Sequence, residues 1–379
     1  MPYKLGVVGI GHWFFRLHEG ILKTDDIQLL KVASASGYEK HRMQLEKLKI
    51  PEPNYFQIAA AEEIPKDFFD GIDIVHIADP NEFHAAQTLQ ALKHNKIVIV
   101  EKTLGINRTE FEKVVDYIKE NGMESKAYLH LHYAHKLLTT QLPDMLKRFT
   151  KQYGSITHTS ATFFERENED RLKRRLWLFD QKNGGLFMDW IHPFETYYEG
   201  AFADKMDLVD VTPYILNPEY STQNPTGIHA KVKINGMFFT DDAQADIRVA
   251  IGLKSDHETK SIRFIFESGQ CLDLSFVNSE IEYSTDNRGS WALYERPGGR
   301  IIEANSPKGP TASDILVNDI LELCRGRNPG FSLNDLNLIY EPQWRYQEMV
   351  KKKKLVKGKA AVDAFIKEGL NIPPNQKVL

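Results

Sequence analysis

The sequence is short of cysteine, of excess basic charge and of long apolar runs. Only two cysteines, Cys271 and Cys324, occur among its 379 residues. They cannot build a disulfide framework or a Cys-based zinc site, and such sparse usage fits a reducing compartment. Lys and Arg number 48 against 52 Asp and Glu, a net charge of −4, so the overall balance favours no nucleic-acid partner. No apolar stretch approaches the roughly 18 residues of a membrane span. The chain enters a strand-like segment, Lys4 to Val8, without the pattern of a signal peptide. A cytoplasmic protein with no membrane partner is expected. No cluster has convincing metal-ligand spacing, so no metal is expected.

What is present is an ordinary globular composition, 42% hydrophobic and 26% charged, and a length that suggests two domains. Short apolar or β-branched runs at Lys4–Val8, Leu29–Ala35, Ile72–Ala78, Ile97–Val100 and Lys126–His130 alternate with helix-length stretches at Phe15–Leu22, Tyr38–Leu48, Phe83–His94 and Thr109–Asn121. This alternation predicts crossover units on a parallel sheet. Asn107, with Glu110 three residues on, reads as a helix N-cap. Beyond residue 130 the pattern changes. A helix is expected over Leu137–Phe149, a strand over Ser155–Phe164 and a helix from Gly185 to Gly200. Several strands with turn signals at Asn235-Gly236 and Ser268-Gly269 fall between Leu208 and Tyr283, and two helices, Thr311–Cys324 and Leu333–Lys352, close the chain. No internal repeat is visible. The fold class is α/β: a doubly wound Rossmann-type parallel sheet over residues 1–130, then an α+β domain over 131–379. The second domain's sheet is expected to be open, mostly antiparallel and covered by helices on one face, leaving the other for a homodimer or homotetramer contact.

Gly9-Ile10-Gly11 follows the first strand and should open the first helix, so Gly9, Ile10, Gly11 and His12 are candidates to cradle a pyrophosphate. An ordinary strand–helix turn is the alternative. The third glycine of the usual fingerprint is replaced by Phe14. Ser36 stands at the end of the second strand, where an acid would hold a ribose 2′-OH, and Lys40, His41 and Arg42 follow. That favours NADP over NAD, unless these cations simply face solvent.

Asp73-Ile74-Val75-His76-Ile77-Ala78-Asp79-Pro80-Asn81, with His84 next, and Lys96-Ile97-Val98-Ile99-Val100-Glu101-Lys102 resemble the Gfo/Idh/MocA oxidoreductase family. The resemblance covers residues 3–200 well and the remainder weakly. It implies that Ala78, Pro80, Asn81, His84 and Glu101 belong to the cofactor site and that Lys102 reaches both nicotinamide and substrate. The family's proline after Glu-Lys is Thr103 here, and the family's Lys–Pro bond is commonly cis. A cis bond before Thr103 costs about 2.5–4 kcal/mol, so either the loop tolerates it or Lys102 reaches the site with a trans bond. Independently of any resemblance, a lysine at the C-terminal end of a parallel strand lies where such sheets bind ligands. There it can stabilise a developing oxyanion.

Gly184-Gly185 precedes Asp189-Trp190-Ile191-His192. Asp189 and His192 are three apart and share a helix face. A histidine beside a carboxylate suits general-base work near neutral pH, although a structural pair would look alike. The segment resembles the shorter D-x-x-H form of the family's second-domain motif. His192 is assigned as proton acceptor, Asp189 as its orienter or as a substrate ligand.

His132-Tyr133-Ala134-His135-Lys136 resembles the H-Y-x-x-K sugar-phosphate segment of glucose-6-phosphate dehydrogenase. His132, Tyr133 and Lys136, with Glu165 and Arg175, are the substrate-site candidates. The alternative for the basic cluster around Arg175 is a solvated loop offset by neighbouring acids. The expected activity is NAD(P)-dependent hydride transfer to or from a carbinol carbon of a sugar, sugar phosphate or cyclitol. The rival is a non-catalytic sensor or regulator on the same fold, and an enzyme acting on an imine is a third possibility.

Overall fold

The structure is a computed structural model. It describes residues 1–11, 14, 18, 20–58, 63–166, 169–174, 176–180, 185–253, 259–276, 289–327 and 333–370. His12, Arg175 and Gly184, together with four positions of the expected first helix, lie outside the described residues.

The chain forms two compact units. The first comprises Met1–His132, Lys182–Gly184 and Thr311–Leu336; the second comprises Tyr133–Gln181, Gly185–Pro310 and Asn337–Leu379.

Six strands build the first unit: β1 (Tyr3–Val8), β2 (Ile27–Ser34), β3 (Tyr55–Gln57), β4 (Ile74–Ile77), β5 (Ile97–Glu101) and β6 (Ala127–His130). Their order is β3-β2-β1-β4-β5-β6 and every pairing is parallel. That is the doubly wound order of dinucleotide-binding sheets, with the switch point between β1 and β4. Buried runs such as Ile74–Ile77 lack alternation because both faces of a parallel sheet are covered. The crossover helices are α1 (Tyr38–Lys47), α2 (Asn81–Lys93) and α3 (Arg108–Glu120). The Asn107 side chain accepts from the Glu110 backbone N–H at 3.0 Å, capping α3. Phe14, His18, Gly20 and Ile21 are helical, and Phe14 is fully buried in the core. The residue in the third-glycine position thus serves packing.

Helix α7 (Ala312–Cys324) is flanked in sequence by segments of the second unit but belongs to the first, where Leu316, Ile320 and Leu323 join the sheet's core. Thr311 starts it with a capping box: its hydroxyl accepts from the Asp314 N–H at 3.1 Å, and Asp314 accepts from the Thr311 N–H at 2.9 Å.

The second unit holds an eight-stranded sheet in the order β14-β13-β12-β11-β7-β10-β9-β8. These strands are β7 (Ile156–Arg166), β8 (Ala203–Tyr214), β9 (Gly227–Gly236), β10 (Phe239–Leu253), β11 (Thr259–Phe266), β12 (Cys271–Ser275), β13 (Ser290–Tyr294) and β14 (Ile301–Asn305). Only β7 and β10 pair in parallel; the other pairs are antiparallel. Helix α4 (Leu137–Tyr153) precedes β7, α5 (Glu169–Arg174) and α6 (Phe187–Glu195) lie between β7 and β8 in sequence, and a π-helical turn, Thr196–Gly200, extends α6. After α8 (Leu333–Val350), α9 (Lys359–Leu370) is a third closing helix where two were expected. Its Phe365 stacks on Phe164 at 5.4 Å, whereas Phe163 lies 6.3 Å from the His192 ring. Neighbouring residues on a strand point to opposite faces, so helices cover parts of both faces rather than one.

Both cysteines are free, Cys271 buried and Cys324 half-buried. Burial pushes each thiol up to about 12, which makes both inert. No described helix is long and apolar enough to cross a membrane. No group of three or more His, Cys, Asp or Glu among the described residues could hold a metal ion.

Candidate functional site

In the first unit the candidates gather at the C-terminal ends of β1, β4 and β5. Gly9 has φ +99°, and a Cβ there would lie 2.5 Å from the Asp79 nitrogen. Only glycine lets the loops after β1 and β4 come this close. Among the described residues nothing lies within 4 Å of where a Cβ on Gly11 would stand, and Gly11 is exposed. This fits a group that must approach the main chain. Ile10 and Ala78 are half-buried, Pro80 is exposed, and Asn81 is buried in the first turn of α2.

Ser36 sits past the end of β2, its N–H donating to the Ser34 hydroxyl at 3.3 Å and its carbonyl accepting from the Tyr55 hydroxyl. Of the three basic residues that follow, Arg42 is paired with Glu46 at 2.9 Å and Glu39 at 3.4 Å. Burial, then the Lys40 charge, lowers the pKa of His41, so it adds no cation. Lys40 remains as an exposed positive charge.

Glu101 ends β5 and Lys102 follows it. The Lys102–Thr103 bond is cis. Glu101 Oε1 lies 3.1 Å from His76 Nε2, and His76 Nδ1 lies 3.4 Å from His18 Nε2. Burial pushes Glu101 up, but the His130 charge and the bond to His76 outweigh it and hold the carboxylate at about 2. His130 pairs in register with Glu101, and its Nδ1 lies 3.0 Å from Asp319 Oδ2 on α7. The His132 ring stacks near His130 at 6.4 Å.

In the second unit α6 presents Asp189 and His192, and one turn further Glu195. His192 Nδ1 lies 2.9 Å from Glu195 Oε1, and His192 Nε2 lies 3.4 Å from Asp189 Oδ1. Glu195 has no solvent exposure. Its other oxygen accepts the backbone N–H groups of Tyr133 at 3.0 Å and Ala134 at 3.2 Å. Those bonds fix the carboxylate, which in turn accepts from the Nδ1–H of His192, so that Nε2, facing Asp189 at 3.4 Å, is the nitrogen left to exchange a proton. The Tyr133 ring packs 4.2 Å from the His192 ring, and the Lys136 ammonium sits 3.9 Å above the same tyrosine. A cation–π contact is worth about 0.5–1 kcal/mol when exposed and about 2 kcal/mol when desolvated, and half-buried Lys136 falls between these limits.

The structure therefore gathers Asp189, His192, Tyr133 and Lys136 into one cluster within the second unit. Glu165 stands half-buried at the end of β7. Glu195 is the residue that sequence reasoning missed. Its signal was available, because Asp189-x-x-His192-x-x-Glu195 repeats one spacing along the helix.

Comparison with known proteins places this geometry in context. Residues 3–126 match the Gfo/Idh/MocA family, described as an oxidoreductase family with an NAD-binding Rossmann fold. A curated relative, the scyllo-inositol 2-dehydrogenase (NADP(+)) IolU of Bacillus subtilis (strain 168), is 29% identical over 96 residues. That stretch is 25% of this chain and only 27% of the relative's length. Among solved structures, the 3-ketoreductase KijD10 from Actinomadura kijaniata, in complex with NADP and TDP-benzene, superposes with a TM-score of 0.71 at 15% identity, covering 95% of this chain and 100% of that one. The aldose-aldose oxidoreductase from Caulobacter crescentus, complexed with glycerol, gives 0.69 at 14% identity over 93% and 99%. The UDP-N-acetylglucosamine 3-dehydrogenase GnnA from Acidithiobacillus ferrooxidans gives 0.64 at 14% over 92% and 98%. At these identities the likeness establishes the two-domain fold.

Proposed function

We propose, given that this chain carries the NAD-binding Rossmann domain of the Gfo/Idh/MocA oxidoreductase family, that it is an NAD(P)-dependent oxidoreductase acting on a carbinol or carbonyl carbon of a sugar, sugar phosphate or cyclitol. The observation that carries the reading is the Glu195–His192–Asp189 chain, an imidazole held between a buried carboxylate at 2.9 Å and Asp189 at 3.4 Å. A bound nicotinamide supplies or takes the hydride. His192 Nε2 takes the hydroxyl proton in oxidation and returns it in reduction. Asp189, 3.4 Å from that nitrogen, stabilises the imidazolium that forms. Lys102 steadies the substrate oxygen as charge develops. Gly9 and Gly11 admit the pyrophosphate, and Asn81 lies in the first turn of a helix suited to it. Lys40 beside Ser36 supports NADP over NAD.

Similar proteins named as an inositol dehydrogenase, an aldose-aldose oxidoreductase and a UDP-N-acetylglucosamine dehydrogenase support a carbohydrate-type substrate. Lys136 over Tyr133 supports an anionic group on that substrate, with His132, Glu165 and Arg175 as further contacts. The reading extends to a cytoplasmic homodimer or homotetramer, checked by light scattering.

The test is a panel of inositols, sugars, sugar phosphates and nucleotide sugars, followed through NAD(P)H absorbance in both directions. Turnover of at least one polyol or keto sugar is expected. Tight NADPH binding with no turnover of any member would favour the regulator instead.

A further inference from the structure

His84 lies near the start of α2 and is 1% exposed. Its Nδ1 is 2.8 Å from the carbonyl oxygen of Thr103, and its Nε2 is 2.6 Å from the carbonyl oxygen of Asp79. Carbonyl oxygens accept and cannot donate. A neutral imidazole has one N–H and one lone pair. It satisfies one of these contacts and turns a lone pair towards the other oxygen at hydrogen-bonding distance. Only an imidazolium donates to both.

We infer that His84 is a buried imidazolium clamp, a positioning residue that ties the loop after β4 to the bend carrying Lys102. One prong holds the residue before Pro80. The other holds the carbonyl of the residue next to Lys102. The lysine's backbone is then fixed by β5 on one side and by His84 on the other. The positioning role rests on the assignment of Lys102 above; the protonation state does not.

The groups facing the ring divide in their effect. Burial, the largest influence, and the His76 charge hold the ring's pKa below the ordinary histidine value, against the upward pull of the Thr103 and Asp79 carbonyls and the Glu101 carboxylate. The proposal rests on the two-acceptor geometry, which sets itself against that direction. The Asp79 carboxylate accepts from Gln87 Nε2 at 2.8 Å, and burial raises its own pKa. His18 shows the contrasting case: one nitrogen meets the Phe14 carbonyl at 2.6 Å and the other meets a second imidazole. A neutral ring serves those two contacts, so His18 needs no extra proton. Two carbonyl acceptors leave His84 no such option.

The test is long-range proton–nitrogen NMR on the full chain labelled with nitrogen-15 in histidine, at pH 7.5 without ligand. His84 is assigned by the loss of its ring signals in His84→Gln or, if that variant does not fold, through correlations from its own backbone amide. Two protonated ring nitrogens with slowly exchanging protons are expected. A bare ring nitrogen at that pH would overturn the clamp. In a folded His84→Gln, kcat should fall about 10- to 100-fold, as displacement of a reacting group implies, with KM nearly unchanged. The wild-type decline in kcat as pH rises through the ring's pKa should be flattened in the variant. A doubly protonated ring whose loss leaves kcat untouched would overturn the positioning role. Absence of wild-type turnover alongside a doubly protonated ring would sink the oxidoreductase reading and leave the imidazolium standing.

Discussion

Glu195→Gln separates the role of Glu195 from mere packing. The amide is nearly the same size, and its oxygen can still accept the Tyr133 and Ala134 N–H groups, now 3.0 and 3.2 Å from Oε2. Its NH2 group then faces His192 Nδ1, where a carboxylate oxygen stands at 2.9 Å. An NH2 group donates, so Nδ1 must become the acceptor and the ring proton moves to Nε2. The substrate then meets an N–H where it needs a lone pair. Locking an imidazole in the wrong tautomer costs a catalytic dyad about 10⁴-fold when the ring is the sole base. Asp189 at 3.4 Å can share the proton here, so about 10² to 10⁴ is expected in kcat. KM and the urea midpoint should change little. Glu195→Ala should differ in kind: it strands two backbone donors and an imidazole N–H in the interior, a loss of about 3–5 kcal/mol of stability. The assay is NAD(P)H absorbance under saturating substrate, with urea denaturation of the same preparations. A folded Glu195→Gln enzyme with wild-type kcat would refute the tautomer argument.

Three further outcomes are expected. Ser36→Asp places an anion beside the 2′-phosphate position and should weaken NADP relative to NAD; a wild-type chain that already binds NAD much more tightly by calorimetry would contradict this. Lys136→Ala should raise KM for a phosphorylated substrate by about 10- to 100-fold, from a charge-assisted bond worth about 1.5–3 kcal/mol, and spare the matching neutral sugar; equal effects on both would make Lys136 structural. Stability should fall with acid. Burial, then the His76 charge, lowers His18 to about 3, so the unfolded chain takes up a proton below its ordinary 6.5 that the folded chain refuses. That costs up to about 1.4 kcal/mol per pH unit through the window between those values. Glu101, held at about 2, extends the loss from its ordinary 4.5 downwards. Urea midpoints should drop from pH 7 to pH 3 and drop less steeply in His18→Gln; a flat wild-type profile would contradict the sign.

Periodicity and punctuation carried much of the fold. Parallel strands such as β4 and β5 announce themselves as apolar runs because both faces are covered, and Asn107 marks its helix by the Glu110 spacing. Elements without such a signature escape: β3 has three residues, and β14 is mostly exposed, so neither shows a buried face. Helix α9 does carry Val362, Phe365 and Ile366 at helical spacing, yet its place against β7 is a tertiary fact. At the site, Asp189 and His192 were legible as a local pair. Asp319 was not, because it meets His130 across 189 residues. Glu195 shared the legible spacing, but its function comes from the Tyr133 and Ala134 amides, 62 and 61 residues away. No local pattern can reveal a carboxylate held from that distance.

The most direct measurement of the central claim is label transfer. NADPH carrying deuterium at both C4 positions is incubated with the wild-type protein and a keto sugar from the active part of the panel, and the product is analysed by mass spectrometry. The account predicts one deuterium on the new carbinol carbon, and a rate lowered by about 10²-fold or more in Lys102→Ala and in His192→Ala, with NADPH affinity nearly unchanged in both. An unlabelled product, or equal label transfer by a folded His192→Ala protein, would contradict it.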